Sequence, residues 1–187
     1  MFDFVAQLFG LVGMGMNAYS LQRKTQRNII VMQLFGAACF FVNMLMLGAY
    51  TGALLNFIAI FRAIVYSNKH RIKHQWLVCA GFTVLYLLSY AITFTVFKKP
   101  VTVPNLIVET LPAIAMFTTT ISFSVKNIQT TRKLNFISSP LWLTYNCINF
   151  AIGGILCEIM MLISSAIAVV RHDRNEKRAA EAAKGEK

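Results

Sequence analysis

Seven apolar stretches run along this chain, beginning near Phe4, Ile29, Gly52, Gln75, Pro104, Leu134 and Gly153 and separated by short polar segments. A helix satisfies its own backbone polar groups, and about 20 apolar residues carry it across a bilayer. The pattern therefore predicts an all-α membrane protein with seven transmembrane helices. They form a single membrane domain over residues 1–172. A charged tail over 173–187 reads as a solvated, frayed extension of the last helix.

The order of spans and loops has a rhythm. Helices one to three run span, basic loop, span, tight glycine turn, short span, and helices five to seven repeat that order. The basic loops at 23–27 and 127–132 lie about 105 residues apart, and the glycine turns at Gly48 to Gly52 and at Gly153-Gly154 about 102 apart. The expectation is two parallel three-helix repeats, 4–67 and 104–171, joined by a linker helix over 75–97. In this 3+1+3 layout a pseudo-two-fold axis runs along the membrane normal. Without an odd helix between them, the second repeat would enter from the wrong side.

The helix faces repeat as well. In helix one Ala6, Gly10, Gly13 and Asn17 form a stripe of small residues ending in a polar one, matched by Leu111, Ala115, Thr118 and Ser122 in helix five. Small residues let membrane helices approach closely. Gln33, Gly36, Phe40 and Asn43 share a face of helix two, and Ser139, Trp142, Asn146 and Asn149 share one of helix six. Polar stripes are costly in lipid, so both should face the interior. Interhelical hydrogen bonding alone would account for them, and so would a shared polar cavity. Pro112 and Pro140 predict kinks.

Composition sharpens this picture. The chain is 57% hydrophobic and 13% charged, unlike a soluble domain. Fifteen of its 18 Lys and Arg fall after helices one, three and five and in the tail. The opposite loops hold only Lys98 and Lys99, and Arg62 lies within helix three. The positive-inside rule then places the N-terminus outside and the C-terminus in the cytoplasm. Asp3, with no Lys or Arg before Arg23, argues against a cleavable signal. The net charge of +11 is no nucleic-acid footprint, because the basic residues sit at the ends of apolar runs with no base-reading motif. Cys39, Cys79, Cys147 and Cys157 read as small packing residues. His70 and His74 have helical spacing, but Lys69, Arg71 and Lys73 beside them would repel a metal cation. No catalytic motif is present, so the chain reads as a non-enzyme with no cofactor.

Three ionisable residues fall within or near the bilayer: Arg62, Glu109 and Glu158. A charge at bilayer centre costs at least about 2.5–3.5 kcal/mol, so such residues face protein or water. Glu158 lies deep, five residues after Gly153, and an offset of 102 pairs it with Asn56. The two are expected to flank the central axis and to bind solute or a proton. Arg62 either snorkels to the cytoplasmic headgroups, pairs with Glu158 or meets an anionic ligand. Glu109 reads as an interfacial carboxylate near the outer surface. The candidate solute- or ion-binding set is Glu158, Asn56, Arg62, Gln33, Asn43, Asn146, Asn149 and Trp142. It implies a small-solute transporter or facilitator with a midplane site between the halves. The alternative is a non-transporting receptor, regulator or assembly partner. The partners implied are the lipid bilayer and a small polar solute, not a nucleic acid, and no oligomeric state is fixed.

Several short motifs carry a resemblance. They are Ala6-Gln7 opening helix one, Leu47-Gly48-Ala49-Tyr50 at the first tight turn and Arg62 in helix three. Ile152-Gly153-Gly154, Glu158 and Arg171 follow in the last helix. On these the chain resembles the YgjV family of bacterial inner-membrane proteins over nearly its whole length. The resemblance implies a multi-pass protein of the bacterial inner (plasma) membrane. The layout is also similar to that of the superfamily of SWEET, PQ-loop and nicotinamide-riboside transporters. The Pro-Gln pair and the tryptophan-rich riboside motifs of those proteins are absent here.

Overall fold

The computed structural model describes residues 2–21, 26–68, 72–124 and 128–185. Among them the chain forms α1 (Phe2–Leu21), α2 (Gln26–Met46), α3 (Tyr50–Ser67), α4 (Gln75–Thr95), α5 (Val103–Ser124), α6 (Ile128–Ile148) and α7 (Ile152–Gly185), and no strand. The apolar runs thus mark seven helices. Two, α2 and α6, begin earlier than their apolar runs do, because polar side chains there do not interrupt the helical backbone. α6 starts at Ile128, so Ile128 to Arg132 are helical and not the loop expected there. Arg23, Lys24, Lys69, His70, Arg71, Lys126 and Asn127 lie outside the described residues. α5 and α6 run through Pro112 and Pro140 as single helices.

Two tight turns have the same construction. After α2, Gly48 N–H donates to Leu45 O at 3.2 Å and Ala49 N–H to Met44 O at 2.9 Å. After α6, Phe150 N–H donates to Cys147 O at 3.3 Å and Ala151 N–H to Asn146 O at 2.9 Å. This pair of bonds ends a helix on a left-handed residue. That residue is Gly48 (φ 72°) in one turn and Phe150 (φ 52°) in the other. The second turn therefore does not use the Gly153-Gly154 pair expected to form it. Both glycines lie inside the first turn of α7, where they serve packing.

Small residues set the helix spacing. A Cβ on Gly13 would stand 3.1 Å from the Gly36 carbonyl of α2, so α1 and α2 meet backbone to backbone. A Cβ on Gly153 would collide with the Gly10 backbone, which brings α1 and α7 equally close. Such contacts replace the hydrophobic drive missing between helices in lipid. Neighbours in sequence pack together as α1–α2, α2–α3, α5–α6 and α6–α7. Contacts of α1 with α7 and of α3 with α5 join these six helices end to end, while α4 packs on α3 and α5.

α3 and α4 are long and apolar enough to cross a membrane, and Val31–Met46 and Ile152–Ile167 are shorter apolar segments. The outward side of α4 presents Val84, Leu85, Leu87 and Leu88 to its surroundings. Apolar exposure on this scale suits lipid, not water. Inside, Met44, Ala53, Tyr145 and Ala151 form one apolar cluster, and Leu55, Tyr66, Phe82, Tyr86 and Met116 form another. Trp142 touches both.

Candidate functional site

The polar residues converge where α6 faces α7. Ser139 and Asn146 stand two turns apart on one face of α6, and both are buried. Ser139 hydrogen-bonds the Glu158 carboxylate. Asn146 lies over Gly154, where a Cβ would come within 2.7 Å of the amide. The glycine thus makes room for the asparagine. The Asn146 carbonyl oxygen Oδ1 is buried with no hydrogen-bond partner among the described residues. A bare acceptor of this kind costs about 1–3 kcal/mol. One turn deeper, Asn17 of α1 donates to the Cys157 thiol at 3.6 Å, bringing a third helix to the seam. Glu158 is half-buried and has no cationic partner among the described residues. An ionised carboxylate and the Asn146 carbonyl so placed accept hydrogen bonds, while the Asn146 amide N–H groups beside them can donate.

Asn43 repeats this situation on α2. It is fully buried, its Nδ2 donates to Ala6 O at 2.7 Å, and its Oδ1 lacks a partner. A Cβ on Gly10 would stand 3.1 Å from its amide. Asn43 therefore binds α1 as Asn146 lies on α7. The interior faces expected of α2 and α6 are present: Gly36, Phe40, Asn43, Ser139 and Asn146 are buried, and Gln33, Trp142 and Asn149 half-buried.

The other candidate residues are used differently. Asn56 folds onto its own helix, donating to Gly52 O at 2.9 Å, and makes no hydrogen bond to Glu158 among the described residues. Asn149 donates to Tyr145 O at 2.8 Å within α6. Trp142 stacks edge-on against Tyr145 at 6.0 Å.

Arg62 does not stretch to the headgroups. It is 7% exposed, and its Nη1 reaches Met116 O at 3.4 Å and Thr120 Oγ1 at 3.2 Å on α5. The Thr120 proton goes to Met116 O, so Thr120 accepts from both Arg62 and the Tyr86 hydroxyl, 2.6 Å away on α4. These bonds tie α3, α4 and α5 together, and no ion pair of Arg62 with Glu158 occurs among the described residues.

Glu109 is no interfacial carboxylate either. It is fully buried and forms an ion pair with Lys99. Tyr145 donates to Glu109 Oε2 at 3.2 Å and accepts from Gly52 N–H at 3.1 Å. The N-terminal turn of α3 is thereby held to α5 and α6. Its counterpart is Gln7, 102 residues earlier. Gln7 Nε2 donates to Phe150 O at 2.8 Å, and its Oε1 accepts from Ile152 N–H at 3.0 Å, where α7 begins. Depth of burial and the role of Lys99 and Tyr145 carried no signal in the sequence. Applying the turn offset of 102 to Gln7 would have singled out Glu109.

No curated protein and no solved structure matches this chain. A family model does, over residues 4–176. With seven helices, lipid-suited flanks and this near-complete match, the chain belongs to the Imp-YgjV family of bacterial inner membrane proteins.

Proposed function

We propose that this bacterial inner membrane protein lets a small polar solute pass through the membrane, with a site in the α6–α7 seam at Glu158. The single observation that carries the reading is the seam itself. A half-buried carboxylate held by Ser139 lies in line with the unpartnered Asn146 carbonyl, and no cation stands beside it among the described residues. A carboxylate without a cation beside it favours a ligand that brings a positive charge or a proton: an amine, a protonated solute or a proton. The reading is of passage, not of covalent chemistry.

The layout belongs to the same proposal. Seven spans, an outside N-terminus and a cytoplasmic C-terminus follow from the segregated Lys and Arg. Two parallel repeats with α4 as linker are supported by three matches at an offset of 102. The turn hydrogen bonds coincide, Gly48 and Phe150 share a left-handed backbone, and Gln7 and Glu109 each serve the start of a later or earlier helix. The helix contacts also match, since such an axis exchanges the α1–α7 pair with the α5–α3 pair.

A second reading has its own support. Arg62 and Glu109 are both taken up as links between helices. Were Glu158 the same, the protein would be a non-transporting receptor, regulator or assembly partner. Uptake by proteoliposomes from a pool of small amines and polyols separates the two. Passage predicts uptake of at least one solute, abolished by Glu158→Gln with folding intact. No uptake, with Glu158→Gln lowering only the thermal midpoint, favours the second reading.

A further inference from the structure

An open groove of about 720 Å³ runs between α4 and α5 on the flank of the bundle. Trp76, Cys79, Thr83 and Val84 line it from α4, and Phe117 and Ile121 from α5. Its two hydroxyls are already used. The Thr83 hydroxyl donates to Cys79 O at 2.9 Å, and Ser124, at the end of the groove, bonds the Tyr66 hydroxyl at 2.9 Å. Beyond Gln75 at the end where α4 begins, the walls offer mainly methyl, methylene and aromatic surface, and the fitting occupant is a hydrocarbon chain.

Charge identifies the rest of that occupant. The groove ends beside the start of α4, where Lys73 is exposed two residues before Gln75. The segment joining α3 to α4 carries Lys69, Arg71 and Lys73, and the one after α5 carries Lys126. No Asp or Glu occurs between Asp3 and Glu109, nor between Glu109 and Glu158. Lys73 is thus an exposed cation at this end of the groove, with no acidic residue nearby in sequence, beside an apolar slot. Trp76, 68% exposed, stands at the junction, as aromatic residues do at headgroup depth.

We propose that the α4–α5 groove binds an anionic phospholipid, one acyl chain lying between Val84 and Phe117 and the headgroup meeting Lys73. The inference goes beyond solute passage and stands whether or not solute passes. A zwitterionic lipid would fill the slot but forfeit the headgroup attraction, which is worth about fivefold in occupancy per basic residue.

Trp76 reports on its own groove. The chain has two tryptophans, so subtracting the emission of a Trp76→Phe chain from that of the full wild-type chain isolates Trp76. The full chain is reconstituted in phosphatidylcholine vesicles holding a minor fraction of chain-brominated lipid, either phosphatidylglycerol or phosphatidylcholine. The proposal predicts that brominated phosphatidylglycerol quenches Trp76 at about fivefold lower mole fraction than brominated phosphatidylcholine. Lys73→Gln should shrink that preference, and Ala80→Phe, which fills the slot, should reduce quenching by both. Equal quenching by the two lipids would overturn the proposal, leaving ordinary boundary lipid. Absence of quenching by either would overturn it too, pointing to a protein surface or second copy over the groove.

Discussion

Gly48 and Phe150, 102 residues apart, hold the same left-handed backbone conformation at the same place in two turns built from matching hydrogen bonds. Glycine adopts this conformation freely, whereas a residue with a Cβ loses about 1–2 kcal/mol in it. Phe150 is 77% exposed, so its ring contributes little to the core. Phe150→Gly should therefore raise stability in detergent by about 1 kcal/mol, and Gly48→Ala should lower it by a similar amount. Thermal midpoints of the two variants check this. Opposite shifts are expected, and two losses would mean the turns differ.

The α1–α7 crossing gives a second test. Gly153→Ala forces a Cβ into the Gly10 backbone, with no flexible side chain to yield. A loss of about 1–3 kcal/mol is expected. Gly15 and Gly81 have open space where a Cβ would go, so alanine there should leave the midpoint unchanged or slightly raised. Equal effects at Gly153 and Gly15 would contradict the close crossing.

At the start of α3, the Lys99–Glu109–Tyr145 chain predicts strong coupling. Lys99→Met leaves a buried carboxylate without its cation, a loss of about 3–5 kcal/mol. Adding Glu109→Gln should restore part of that, so the double change is less harmful than the single one. Tyr145→Phe removes the acceptor of Gly52 N–H and should cost about 1–3 kcal/mol. Chemical-unfolding curves of the single and double variants provide the cycle.

Arg62 and Glu158 should behave independently. The guanidinium bonds Thr120, so Arg62→Met and Thr120→Val are expected to be non-additive. Arg62→Met and Glu158→Gln should add. A restored midpoint in the latter double variant would revive a direct ion pair between them.

Much of the architecture is legible in the sequence because it is one-dimensional. Apolar runs give seven helices, and the small and polar stripes of α1, α2 and α6 give the inward faces. What is lost depends on contacts across the fold. A phenylalanine gives no hint that Phe150 takes a glycine-like conformation, since its φ is imposed by the turn around it. Glu109 follows Pro104 by five residues and looks superficial, but Lys99 and Tyr145 draw it inside. Glu158 stands out in the sequence as an ionisable residue inside an apolar run. Its partner Ser139 was visible only as one member of a stripe, and Asn56, its match by spacing, bonds its own helix instead.

The most direct measurement concerns water at the seam. With the four native cysteines replaced by alanine, Glu158→Cys is exposed in membrane vesicles to a charged, membrane-impermeant thiol reagent. Solute passage through the α6–α7 seam predicts rapid modification, slowed when Asn146 is replaced by leucine. Modification only by a lipid-soluble maleimide, with none by the charged reagent, would show a dry seam and contradict the account.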